Sequence, residues 1–301
     1  MRPIILVCAL TASGAGAASP SKAPPLPLFV PGPEAPLPKG SPVSVHFAPP
    51  LEAPIRYLRE ETDAGGTYRR EIVLRFQRTD GGYRMEASSP GETADLPPPL
   101  QVALQPIGLL LDADGTLTGL ADPDAYWTAS DVLLARGTGS EWARLKAATQ
   151  ALRGLDPVTA AYAVAGAYAP ATLMSRLEVR VGDVMRIPAH PAYNSAVPEE
   201  RLTHSLEFDP ASATRQRLRM EIRSEYDAEG SARIAERLGG EAAVARLKAE
   251  GGHVVETSVH ELEPATGLAL RHESRFILVG RGREEVLRAV RLTRSKEPVV
   301  K

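Results

Sequence analysis

Residues 104–120 read LQPIGLLLDADGTLTGL, an apolar run that ends on Asp112-Ala113-Asp114-Gly115-Thr116. Two carboxylates one residue apart, at the mouth of an apolar strand, suit a nucleophile loop with a metal-neutralised phosphate. The same Asp-Gly chemistry also makes the tip of a β-hairpin. A second set lies on one face of the segment 253–279. With period-two alternation, Val254, Glu256, Ser258, His260 and Leu262 fall on one side, as do Leu268, Leu270, His272, Ser274, Phe276 and Leu278. The ends of that face are apolar and its middle is polar. Turned inward, Glu256, Ser258, His260 and His272 form a candidate ligand-binding patch with two imidazoles, groups whose charge changes near neutrality. The competing reading is a set of strand side chains satisfied by local hydrogen bonds. Metal spacing is poor: there is no His-x-x-x-His and no third convergent ligand, so no metal is assigned.

The segment LLLDADGTLTGL resembles the first motif of the haloacid dehalogenase superfamily, an apolar strand followed by Asp-x-Asp-Gly-Thr. The resemblance implies Asp112 as nucleophile, Asp114 as acid and base, and Mg²⁺ beside the phosphate. It covers about a dozen residues. The second acidic motif would begin at Val181-Gly182-Asp183, where Ile187 stands in place of the second acid; Lys146 and Lys248 lie in helical patterns. Such a motif also opens a domain of alternating strands and helices, whereas here an antiparallel meander precedes it. The hairpin reading is therefore preferred and no catalytic set is assigned; Asp112 and Asp114 remain the alternative, a phosphohydrolase. No Walker loop, G-x-S-x-G elbow or HExxH is present, and no cofactor is implied.

The elements that would position these residues are legible as periodic segments. Ile55 to Thr62 and Tyr68 to Arg78 flank Asp63-Ala64-Gly65-Gly66, and a turn at Gly65-Gly66 puts Ile55 opposite Phe76 and Tyr57 opposite Leu74. Asp80-Gly81 is a two-residue hairpin signal that puts Phe76 opposite Met85 and Leu74 opposite Ala87. Both turns bury Ile72, Leu74 and Phe76 on one face, which a one-residue slip would reverse. Leu104 to Leu111 and Thr116 to Leu120 form the next hairpin, with Leu111 near Thr118 and Leu109 near Leu120. The spacing then becomes helical from Asp122 to Met174, with Asp122-Pro123 and Asp156-Pro157 as helix starts and Ser140 as a cap. Trp127, Trp142, Tyr162 and Tyr168 in this stretch are core side chains or pocket lining. Strands return at Leu177 to Val181, Val184 to Pro188, Leu202 to Asp209 and Gln216 to Tyr226. A helix over Ser231 to Glu250 carries Ile234, Leu238, Val244 and Leu247 on its stripe, with Gly239-Gly240 a weak point. A hairpin turning at Glu263–Gly267 puts Ser258 opposite His272, and a last strand runs from Glu285 to Arg294.

The N-terminus reads as a secretory signal. Met1-Arg2 is followed by a short apolar run to Leu10 and by small residues, with Ala15-Gly16-Ala17 fitting a cleavage site near Ala17/Ala18. Cleavage would remove Cys8, the chain's single cysteine, and with it any thiol chemistry or disulfide. Residues 19–54 are proline-rich and read as a linker, with Val43 to Phe47 a possible edge strand. Residues 55–297 read as one domain of about 250 residues, large enough for its own core. Lysines and arginines number 35 against 37 acids, for a net charge of −2, and form no block, which argues against nucleic acid as a partner. No stable membrane span is expected in the mature chain, since the apolar run is shorter than the roughly 20 residues a span needs.

A meander, a helical insert, further antiparallel strands, a helix and a final meander predict an α+β fold, a large curved antiparallel sheet with helices packed on one face. That architecture resembles the half-barrels of periplasmic carriers of lipids and lipoproteins. The stretch Glu-Leu-Glu-Pro-Ala-Thr-Gly-Leu at 261–268 resembles the hairpins of exported bacterial β-rich proteins that carry domains of unknown function. The expected role is a periplasmic or secreted, non-catalytic protein that binds an apolar or amphiphilic ligand, or an envelope protein as partner.

Overall fold

In the computed structural model the described residues are 37–51, 53–91, 96–172, 177–188, 203–208 and 217–295. The expected signal peptide, most of the proline-rich linker and the last residues of the domain lie outside them. The fold is α+β, as the pattern of elements predicts. The strands are β1 (Pro42–Val45), β2 (Ile55–Asp63), β3 (Gly66–Thr79), β4 (Gly82–Ser88), β5 (Ile107–Asp112), β6 (Leu117–Leu120), β7 (Leu177–Arg180), β8 (Val184–Pro188), β9 (Thr203–Phe208), β10 (Leu218–Glu225), β11 (His253–Glu263), β12 (Leu268–Gly280) and β13 (Arg283–Arg294). The helices are α1 (Pro98–Ala103), α2 (Pro123–Arg136), α3 (Ser140–Arg153), α4 (Pro157–Val164) and α5 (Ala228–Glu250). None of these helices is long and apolar enough to cross a membrane.

Eleven of these strands form one antiparallel sheet in the order β6-β5-β4-β3-β2-β13-β12-β11-β10-β9-β8. Two meanders are joined at their ends of sequence: β2 opens the first, β13 closes the second, and they pair through Arg294↔Tyr57 to Ala289↔Thr62. That closure leaves β6 on one edge and β8 on the other. The chain between them, residues 121–183, must cross a face of the sheet to connect its edges, and it does so as α2, α3, α4 and two 3-10 turns at Ala165–Ala167 and Ala169–Ala171. Asp122, Asp156 and Asp227 start α2, α4 and α5 by accepting backbone N–H bonds from Ala125, Thr159 and Gly230. The start of α3 differs from expectation: Ser140 is its first residue and Gly139 stands at the cap with no side-chain bond. α5 begins earlier than Ser231 because Asp227 supplies the cap.

Two of the three shifted registers lie in the first meander. The β2–β3 turn is Ala64-Gly65, closed by Asp63↔Gly66, so Ile55 faces Leu74 and Tyr57 faces Ile72. The shift is two residues, which preserves the face: Ile72, Leu74 and Phe76 are fully buried. The β3–β4 register is as expected, Phe76↔Met85 and Leu74↔Ala87. Leu109 pairs Leu120, but a bulge at Leu110/Leu111 moves Leu111 opposite Leu117. Within the proline-rich segment, β1 pairs β7, and Val43, Val45 and Phe47 are buried in the main core. Proline is tolerated there because Pro42 opens a strand whose partner is only the four-residue β7.

The outer face is charged and solvated. Arg69, Glu60, Arg291 and Glu273 lie directly opposite one another on β3, β2, β13 and β12 and form a ladder of ion pairs, extended by Arg271 and Arg275. Hydrocarbon could not cover such a face. The inner face carries two apolar clusters. The larger joins β2–β6, α4 and the Leu262/Leu268 end of the last hairpin; the smaller packs Ile234, Ala235, Ala243 and Leu247 of α5 on Val254, Leu278 and Leu287. α5 bends at Gly240, whose φ of 65° and ψ of −164° break the helical path.

Candidate ligand-binding cavity

Between these clusters lies a cavity of about 400 Å³. Its floor is the inner face of five adjacent strands. β11 supplies Glu256, Ser258 and His260; β12 supplies His272, Ser274 and Phe276; β13 supplies Arg288 and Val290; β2 supplies Arg59; β10 supplies Ile222 and Ser224, followed by Tyr226. Its roof is apolar: Val102 and Ala103 of α1, Tyr126 and Trp127 of α2, Leu152 of α3, and Tyr162 to Val164 of α4. Ile234 and Arg237 of α5 close one side. All four residues of the sequence-derived patch, Glu256, Ser258, His260 and His272, are on this floor.

Their mutual geometry differs from the expected one. The hairpin closes at Glu263↔Leu268, one residue off the expected register, and a bulge at Glu261/Leu262 adds one more on β12, so that His260 faces His272 and Ser258 faces Ser274. The imidazoles meet with Nδ1···Nδ1 at 3.2 Å. One Nδ1 donates and the other accepts, so one ring presents an Nε2–H and the other a bare Nε2. Burial drives His260 from 6.5 down to about 4. His272 lies well below its ordinary value, by burial first and then by His260 and Arg59 beside it. Both rings are neutral at pH 7.

The polar floor is built around buried ionic groups. Arg59 is 5% exposed. It donates from Nη2 to Glu61 Oε2 at 2.6 Å and from Nη1 to the carbonyl of Ala167 at 3.2 Å, the latter in the 3-10 turn of the roof. Glu61 Oε1 accepts from Arg288 at 2.8 and 2.7 Å. Burial pushes the Glu61 carboxyl up, but Arg59 and Arg288 outweigh it and hold it below the ordinary value. Glu256 is different. Burial raises it, against an opposing bond from Tyr226, whose hydroxyl donates to Oε2 at 2.7 Å, and against the charges of Arg237 and Arg288. The Nε of Arg59 is buried with no hydrogen-bond partner among the described residues.

Sequence reasoning missed Arg59, Glu61 and Arg288, and a signal for them existed. Ile55, Tyr57, Arg59 and Glu61 share one face by period two, so the argument that buries Ile55 and Tyr57 buries the ion pair as well. Arg288 shares parity with Val290 and Leu292. The aromatics divide. Trp127 and Tyr162 line the cavity, Trp127 held by the Arg153 guanidinium 5.4 Å from its ring and by Tyr126 at 4.9 Å. Tyr168 is core, donating to the carbonyl of Gln105 at 2.9 Å. Trp142 lies against the backbone of Gly137, where a Cβ would meet its ring at 1.9 Å.

Asp112 and Asp114 stand elsewhere, at the tip between β5 and β6. Asp112 Oδ1 accepts the backbone N–H groups of Asp114 at 2.9 Å and Thr116 at 2.8 Å, the local bonding of a turn. β5 is antiparallel to both neighbours and the chain returns as β6, where the phosphatase motif would lead into a helix. Among the described residues no three His, Cys, Asp or Glu side chains are placed to hold a metal.

Comparisons with protein-family models, with curated proteins and with solved structures found no match to this chain. The site is therefore read from its own geometry.

Proposed function

We propose that this is an exported, non-catalytic protein, acting in the periplasm or the medium, that binds a small amphiphilic ligand between its sheet and its helices. The observation that carries this reading is the cavity itself. The space between sheet and helices measures about 400 Å³ and is partly open to solvent, where close-packed interiors leave few voids larger than a water molecule. The volume falls within the range of small-molecule sites, which pair apolar walls with a few convergent polar groups. Here the roof of Tyr126, Trp127 and Leu152 is apolar and the floor carries the polar groups. An amphiphile matches both surfaces at once; a purely apolar guest would leave the floor's hydrogen-bonding groups unsatisfied.

The test is binding of a solvatochromic naphthylamine dye to the purified protein, with Ser258→Leu/Ser274→Leu filling the floor and Asp112→Asn as a distant control. A blue-shifted, saturable signal that is lost in the filled variant and kept in Asp112→Asn supports the reading. A signal unchanged by filling the floor overturns it.

A further inference from the structure

The polar groups of the floor fall into two classes. The charged ones already have partners: Arg59 and Arg288 bond Glu61, Glu256 accepts the Tyr226 hydroxyl, and Arg237 has a partner of its own. The uncharged ones do not. Ser258 and Ser274 line the cavity, and their hydroxyls bond nothing among the described residues. His260 and His272 spend one ring nitrogen each on one another, which leaves their two Nε2 atoms. Among the described residues, the side-chain N and O atoms that are both buried and without a partner are all arginine Nε atoms, so the two hydroxyls and the two Nε2 atoms keep surface open to the cavity. Their bonding capacity is mixed. Each serine donates and accepts. Whichever imidazole donates in the Nδ1 contact, the pair presents one N–H and one bare nitrogen. A carboxylate only accepts and an ammonium only donates, so either would leave one imidazole nitrogen unmatched and would bring a charge to a floor whose charges are already paired. A hydroxyl does both.

We propose that the ligand is a single-chain amphiphile with an uncharged, hydroxyl-bearing head, which seats on Ser258, Ser274 and the His260–His272 pair while its chain runs along Trp127 and Leu152. The Ser258–Ser274 and His260–His272 pairs are successive on one face of β11 and β12, about 6.6 Å apart along the strands. That step suits two hydroxyls on neighbouring carbons, one for each pair, as in a glycerol head. The size of the cavity limits the chain. About 400 Å³ lies low in the range of roughly 300–1,000 Å³ for small-molecule sites, room for one short acyl chain and not for a two-chain lipid.

This inference rests on the amphiphile-binding reading above, and the experiment separates the two. Calorimetric titration of the purified protein at pH 7.5 compares 1-decanoylglycerol, methyl decanoate, decanoate and decylammonium, which share a chain and differ in head. The expected result is that 1-decanoylglycerol binds on the order of tenfold tighter than methyl decanoate, the ratio that added neutral hydrogen bonds supply, and tighter than either ion. Equal affinity for 1-decanoylglycerol and methyl decanoate overturns the hydroxyl head and leaves the amphiphile reading standing. Tightest binding of decanoate or of decylammonium does the same. Failure of all four to bind overturns both readings. A second measurement places the head. Ser258→Ala/Ser274→Ala removes both hydroxyls without filling the space. It should cut the advantage of 1-decanoylglycerol over methyl decanoate by about threefold or more while methyl decanoate binds as before. An unchanged ratio overturns the assignment of the head to the serines.

Discussion

Replacing His260 and His272 together by asparagine keeps a short polar pair at the same depth but removes two titrating groups. The consequence is a change in the pH dependence of stability. A buried imidazole whose value falls from 6.5 to about 4 is neutral in the folded chain and protonated in the unfolded chain between those limits. The unfolded state binds more protons there, so stability falls as the pH falls. At 1.36 kcal/mol per pH unit, His260 alone removes about 2 kcal/mol by pH 5 and about 3 kcal/mol by pH 4. His272, displaced in the same direction and packed against it, adds to this loss. The other groups facing the pair do not mimic the effect. Glu61 is held low by Arg59 and Arg288, so its contribution is lost only below the ordinary carboxylate value. Glu256, held high by burial, has the opposite slope, since the stability it adds fades as the pH rises. Both carboxylates are present in variant and wild type and cancel in the difference. The assay is urea denaturation at pH 5.0, 6.0, 7.0 and 7.5. The expected outcome is that the stability of the wild type relative to the variant drops by about 2 kcal/mol or more from pH 7.5 to pH 5.0. Parallel curves for the two proteins would refute the reasoning, because they would mean that the imidazoles titrate as in water.

Three further outcomes follow from single contacts. Glu61→Ala leaves Arg59 buried without its carboxylate and should cost about 3–5 kcal/mol, whereas Arg56→Ala, which breaks the half-exposed pair with Glu71 at 2.6 Å, should cost no more than about 1 kcal/mol by the same urea melts. Gly240→Ala forces a Cβ onto φ 65°, ψ −164° and should destabilise the chain by about 1–3 kcal/mol, read as a lowered denaturation midpoint; an unchanged midpoint would mean that α5 straightens there at no cost. Asp112→Ala should cost about 1–2 kcal/mol by removing the acceptor of two backbone N–H groups, while Asp112→Asn keeps an accepting oxygen and stays within about 0.5 kcal/mol of wild type.

Local pattern carried most of the architecture because sheet periodicity and turn chemistry are short-range. The Asp80-Gly81 turn and the buried face of Ile72, Leu74 and Phe76 follow from spacing alone, and the Asp-Pro starts of α2 and α4 from capping. The polar floor was legible for the same reason: Glu256, Ser258, His260 and His272 share parity along a hairpin whose ends are apolar. What period two cannot resolve is a bulge, since one inserted residue changes the pairing without changing the composition. The closing pair Glu263↔Leu268 and the bulge at Glu261/Leu262 together set His260 opposite His272 and make the imidazole contact.

The rest belongs to tertiary structure. The adjacency of β2 and β13 places Arg59 and Glu61 beside Arg288, residues 227 positions apart for the Glu61–Arg288 bond, and no local signal joins strands from opposite ends of a chain. That same closure sends β6 and β8 to opposite edges, obliges residues 121–183 to cross the inner face, and so brings Tyr126 and Trp127 over the polar floor. By itself the sequence determined which side chains face inward, because that depends on a two-residue period. Whether the space between sheet and helices is filled or open depends on how volumes from α1 to α5 and five strands meet, a sum over distant contacts that only the folded chain decides.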